Sequence, residues 1–96
     1  MNRDQAIENL QEVFPDIDGI RPSEELGYSA GGIFLGDCAE GGTIDGVSAC
    51  NYNAGFSDPE ETIWTLGVHN QLASLLHQLG YFAECQDPGT YLAWEI

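Results

Sequence analysis

DPEETIWTLGVHNQLASLLHQLG, residues 58–80, followed by YFAECQDPGTYLAWEI, residues 81–96, decides how this chain is read. The first piece opens with the marks of a helix start. Asp58 can cap, Pro59 suits the first helical position, and Glu61 closes a capping box while favouring the helix dipole. At about 100° per residue, Trp64, Val68, Leu72, Leu75, Leu76 and Leu79 share one face, and Gly80 offers a left-handed stop. The spacing predicts a helix over 58–79. Ile63 and Leu66 fall on its opposite side, near Asn70 and His77. They either pack under the Gly-rich segment 26–56 or form an exposed apolar patch. The second piece reads as a hairpin, with arms at 81–86 and 91–96 around the turn Asp87-Pro88-Gly89-Thr90. Leu92, Trp94 and Ile96 alternate onto one face of it, Tyr91 and Ala93 onto the other.

Toward the N-terminus, Ala6, Ile7, Leu10, Val13 and Phe14 keep a helical period over 3–14. Asn2 and Gln5 can form a capping box, and Pro15 ends the helix. Residues 15–25 read as a loop with Ile17 and Ile20 tucked beneath it. Residues 26–56 hold eight Gly in 31 positions. Within them Ile33-Phe34-Leu35 and Val47–Tyr52 are strand-like, separated by turn signals at Glu40-Gly41-Gly42-Thr43 and Asp45-Gly46. These Gly serve turns and bulges better than a phosphate cradle, since no Lys is present to help hold an anion. The order α-β-β-α-β-β predicts an α+β fold: an antiparallel sheet of about four strands with two helices on one face, as a single domain over 1–96.

Val, Ile, Leu and Phe number 23 among 96 residues, above the level of charged disordered chains. A folded core is therefore expected. Sixteen Asp and Glu oppose two Arg, giving a formal charge of −14 without a single Lys. The acids are dispersed, unlike the long blocks of disordered acidic tails. Cys38, Cys50 and Cys85 are odd in number and widely spaced. They read as reduced thiols of a cytoplasmic protein, neither a disulfide framework nor a zinc site. The polar start Met1-Asn2-Arg3-Asp4-Gln5 does not read as a secretory signal. Apolar runs such as Ile33-Phe34-Leu35 fall far below the ~20 residues that span a bilayer, and anionic membrane surfaces repel such a chain.

Catalytic motifs are absent. A Cys–His enzyme needs a base beside its nucleophile, and a helix holding His69 and His77 sets them about 12 Å apart along its axis. Asp16-Ile17-Asp18-Gly19 starts like a calcium loop but lacks the further ligands of one. Asp37, Glu40 and Asp45 can gather on one loop without forming a recognised ligand set. No cofactor and no metal is expected, and the chain does not read as an enzyme. Direct nucleic-acid binding needs cations for the phosphates, and Arg3 and Arg21 are the whole supply.

The charge itself is the remaining signal. Asp4, Glu8 and Glu12 stand at i, i+4, i+8 on the first helix, about 6 Å apart along its axis, where like charges repel. Asp16, Asp18, Glu24 and Glu25 continue the negative run. These seven residues are the expected contact surface for a basic partner, a nucleic-acid-binding protein or complex. A globule of this length is about 30 Å across, a span over which duplex DNA carries about 18 charges. The sixteen carboxylates approach that density if they gather on one side.

In size, acidity and compactness the whole chain resembles the small acidic inhibitors that phages and plasmids use against host defence, the anti-CRISPR and antirestriction proteins. In bulk it is also similar to acidic immunity proteins that plug basic nucleases. The resemblance is compositional and rests on no motif. It implies a mechanism: occupy the positively charged channel of a CRISPR effector, restriction enzyme or nuclease in the host cytoplasm and exclude its substrate, as a nucleic-acid mimic does. It carries over no site residues, because anti-CRISPR proteins share no single fold. The alternative is a protein-interaction module that docks through an apolar patch of Ile63, Leu66 and Tyr28 or Tyr52, with the charge serving solubility. Oligomeric state is left open, since −14 opposes pairing through acidic faces only.

Overall fold

Asn2 and Gln5 close a capping box at the head of the first helix. The Gln5 amide donates to Asn2 Oδ1 at 2.9 Å, and the Asn2 amide donates to Gln5 Oε1 at 3.0 Å. This helix, α1 (Arg3–Val13), buries Ala6, Ile7 and Leu10. It ends as expected, because Pro15 disfavours helical geometry at Phe14. In the computed structural model, which describes all 96 residues, the chain then runs through β1 (Ile20–Pro22), a 3-10 turn (Ser23–Leu26), β2 (Ile33–Leu35), β3 (Thr43–Ile44) and β4 (Val47–Ser48). It continues through a single helical turn α2 (Ala54–Ser57), β5 (Trp64–Thr65), β6 (Val68–His69), α3 (Asn70–Gln78), β7 (Tyr81–Asp87) and β8 (Thr90–Glu95).

The fold is α+β. Its main sheet has four antiparallel strands in the order β1-β2-β8-β7, beside the two small hairpins β3–β4 and β5–β6. Register sorts the side chains of the sheet into two faces. Pro22, Ile33, Ala93 and Ala83 form one cross-strand row; Arg21, Phe34, Leu92 and Glu84 form a row of the other face. The first face meets both longer helices: α1 lies over β1 and α3 over β7. Between them sits one core cluster, in which Leu10, Leu72 and Leu76 pack with Ile20, Ile33, Leu35, Tyr81 and Tyr91. Ile17 and Ile20 are buried, as the loop reading requires. Tyr91 and Ala93 take the core side of the final hairpin, and Leu92 and Trp94 the outer side.

Three expectations are corrected. The second helix does not begin at Asp58 but at Asn70. Residues 58–69 form a loop and the hairpin β5–β6, because Leu66 and Gly67 both adopt positive φ, 52° and 82°, the requirement of a type I′ turn. The β-branched Thr62, Ile63, Thr65 and Val68 also lose side-chain freedom in a helix. The strand expected over 47–52 is reduced to Val47–Ser48, with Cys50 bridging Val68, and it lies outside the main sheet. The fourth sheet strand is instead Ile20–Pro22, inside the segment read as a loop. Pro22 is tolerated there because β1 is an edge strand.

Pro88 fixes a negative φ and cannot build a type I′ turn. The β7–β8 hairpin absorbs this with a register shift between Cys85 and Asp87. No helix is long and apolar enough to cross a membrane.

Candidate functional site

All seven acids expected to meet a partner are exposed, and they lie along α1 or at its two ends. Asp4, Glu8 and Glu12 occupy the side of α1 away from Ala6, Ile7 and Leu10. Beyond the C-terminal end, Asp16 and Asp18 are anchored by their backbones: Asp16 O accepts from the Thr43 amide at 3.2 Å and Asp18 O from the Asp37 amide at 2.9 Å. At the other end, Arg3 brings the 3-10 turn against the helix. Its Nη1 donates to Glu24 Oε1 at 2.7 Å and its Nη2 to Glu24 Oε2 at 2.6 Å, a two-pronged ion pair. The Arg3 guanidinium pulls the Glu24 carboxyl down to about 2. Glu24 is thus committed to Arg3, and Asp4, Glu8, Glu12, Asp16, Asp18 and Glu25 are the members of the belt whose side chains have no partner.

This is the sole ion pair of the protein. The other cation, Arg21, is exposed on the outer sheet face opposite Phe34. Of the sixteen carboxylates, all but Glu24, Asp37, Asp45, Asp58 and Asp87 accept no hydrogen bond. Glu40, Glu60, Glu61, Glu84 and Glu95 extend the negative surface well beyond α1.

Asp58, read from the sequence as a helix cap, instead organises a loop. It is 7% exposed. Oδ1 accepts from the Thr62 hydroxyl and amide, and Oδ2 from the amides of Ile63 at 2.7 Å and Trp64 at 3.0 Å. The Thr62 hydroxyl and then the Trp64 and Ile63 amides hold this carboxyl well below the usual range. The loop it braces forms one wall of a cleft of about 430 Å³. Tyr52, Trp64, Leu66 and Tyr91 line the cleft together with Asp58 and Glu61, at the turn end of the β7–β8 hairpin. Trp64 is fixed by its indole N–H, which donates to Ser48 O at 2.8 Å. Tyr52 is 60% exposed and Leu66 is 92% exposed, as is neighbouring Phe56.

Leu66 therefore takes the exposed outcome of the two left open. Ile63 is half-buried, and Tyr28 stacks on Phe34 at 6.5 Å, so neither belongs to this rim. The sequence reading missed Trp64 and Glu61 as cleft residues. The signal was Leu66-Gly67, a turn pair hidden inside an apparently helical period.

No hydrogen bond joins a thiol to an imidazole. Cys38 and Cys50 are buried together, where the Cys38 thiol and burial push the Cys50 thiol up. His69 Nδ1 accepts from the Gln71 amide at 3.1 Å, capping α3, and burial lowers its pKa. No three His, Cys, Asp or Glu side chains converge as metal ligands. No family model, no curated protein and no solved structure matches the chain.

Proposed function

We propose that this protein is a small acidic inhibitor of the anti-CRISPR or antirestriction type. It binds a basic nucleic-acid-processing protein in the host cytoplasm and covers its DNA or RNA site. It acts by binding and not by catalysis. The observation that carries this reading is the run of unpartnered exposed carboxylates along α1, from Asp4 through Glu8 and Glu12 to Asp16 and Asp18.

Like charges at this spacing cost helix stability, and no cation within the belt relieves Glu8 or Glu12. A basic groove supplies that relief on binding. The longest dimension, 34 Å, corresponds to duplex carrying about 20 phosphate charges. Seven of the sixteen carboxylates lie on α1 or at its ends, and the others are spread over several elements. Electrostatic steering makes association fast and sensitive to salt.

The test is capture by tagged protein from nuclease-treated bacterial lysate, with elution along a salt gradient. A nucleic-acid-processing protein released at moderate salt and displaced by its own DNA or RNA supports the proposal. A partner held through high salt and indifferent to nucleic acid overturns it. That outcome favours a second reading, an interaction module that docks through an apolar surface. Its supporting observation is the nearly complete exposure of Phe56 and Leu66, each 92%.

A further inference from the structure

Two turns of this chain make the same demand and answer it differently. The β3–β4 hairpin turns at Asp45-Gly46, with φ of 52° and 82°. Asp tolerates the left-handed position better than most residues, and here its Oδ2 also accepts a long-range hydrogen bond from Gln71 Nε2 at 2.7 Å. The β5–β6 hairpin turns at Leu66-Gly67, with φ of 52° and 82°. Leu has no such adaptation, and its side chain is 92% exposed. It adds strain to the turn and buries almost nothing. Glu61 is the third non-Gly residue at positive φ, at 57°, and its carboxylate accepts no hydrogen bond. Both of these strained, unrewarded side chains line the same cleft. Strain kept at one place without a local return points to a role there.

The chemistry of the cleft defines its ligand. Tyr52 supplies an exposed aromatic ring over a floor of the buried Trp64 and Tyr91, Leu66 an apolar rim, and Glu61 and Asp58 negative charge, with no cation among the lining residues. Its volume lies within the ~300–1,000 Å³ of ligand-binding clefts. Asp58 is saturated by its own loop and contributes charge alone, whereas Glu61 has both oxygens unoccupied. One exposed aromatic face beside a free carboxylate suits a planar cation that stacks and forks its hydrogen bonds, which is a guanidinium more than an ammonium.

The geometry points to this cleft as a receptor for one arginine side chain of the basic partner, stacked on Tyr52 and paired with Glu61. The inference rests on the acidic-inhibitor reading and adds a second anchor to it, one that depends on shape as well as charge.

The probe is the peptide acetyl-Gly-Arg-Gly-amide, followed by amide and indole N–H chemical shifts of the labelled protein. Its counterpart with citrulline keeps the shape and removes the charge. Saturable shifts of the Trp64 indole N–H and of the Leu66 and Gly67 amides are expected, with Kd on the order of 1 mM. Binding falls about five- to tenfold with citrulline and with Glu61→Gln, and also weakens in Leu66→Asn, which keeps the turn. Shifts centred on Glu8 and Glu12, equal shifts with citrulline, or no shift at the cleft would each overturn the proposal. The outcomes separate it from the reading it rests on. Arginine-selective binding here in a chain that inhibits no nucleic-acid enzyme removes the inhibitor reading and leaves the cleft. Inhibition through α1 with an unshifted cleft removes the cleft alone.

Discussion

Leu66 is held at φ 52° by a two-residue turn that favours Asn, Asp or Gly at its position. The left-handed conformation costs an ordinary L-residue about 1–2 kcal/mol, and the exposed side chain returns little of it. Leu66→Asn is therefore expected to stabilise the fold by roughly 1 kcal/mol, which for a domain of this size raises Tm by about 4–8 °C. Thermal melting followed by circular dichroism checks this, and a lower Tm would show that Leu66 serves the fold after all. Asp58 presents the opposite case, with one buried carboxylate satisfying donors of Thr62, Ile63 and Trp64. Asp58→Asn cannot accept at both positions, so an amide of this loop loses its partner or the loop rearranges. The expected result is a larger loss of Tm than from the same exchange at any exposed acid, such as Glu8→Gln. A red shift of Trp64 fluorescence should accompany it as the cleft wall loosens.

Among the elements, α1 and the β7–β8 hairpin were legible because their signals are local. Asn2 and Gln5 cap the one, Pro15 stops it, and Asp87-Pro88-Gly89-Thr90 turns the other. The segment 58–69 misled because Trp64 and Val68 are buried in the hairpin just as they would be in a helix, so burial satisfied the wrong period. Leu72 and Leu76 continued that false helix into the real α3. Strand β1 was hidden for a different reason. Three residues ending in Pro22 carry little pattern, and β1 becomes a strand only through its long-range pairing with β2. The acids of α1 were legible as a stripe. The cleft was not, because residues 52–67 must fold back on themselves and meet Cys85 and Tyr91 of the final hairpin before it exists. The clasp between Arg3 and Glu24 joins α1 to the 3-10 turn and gives this part of the fold an acid limit. Glu24 titrates at about 2 when folded, against an ordinary 4.5. Its contribution is therefore fully present above pH 4.5 and is lost as pH falls from there through 2. Urea unfolding across that interval should lose part of its acid dependence in Glu24→Gln; an unchanged profile would mean the clasp opens in solution.

The whole molecule carries a charge of −14 on a body with a 12.1 Å radius of gyration and one ion pair. Self-repulsion at this density opposes the compact state. Raising salt from about 0.01 M to about 0.15 M shortens the screening length from roughly 30 Å, close to the length of the protein, to roughly 8 Å. Tm is expected to rise over that range, and a flat response would mean that the field is compensated locally. On the proposed reading, the same field is what draws a basic partner. The most direct measurement is the affinity for the captured nucleic-acid-processing partner at several salt concentrations, with and without its DNA or RNA. Wild type is compared with the triple variant Asp4→Asn, Glu8→Gln, Glu12→Gln. The account predicts that affinity falls steeply with salt, that nucleic acid and this protein exclude one another, and that the triple variant binds more weakly with a shallower salt dependence. An affinity indifferent to salt and to the three acids, with nucleic acid and protein bound at once, would contradict it.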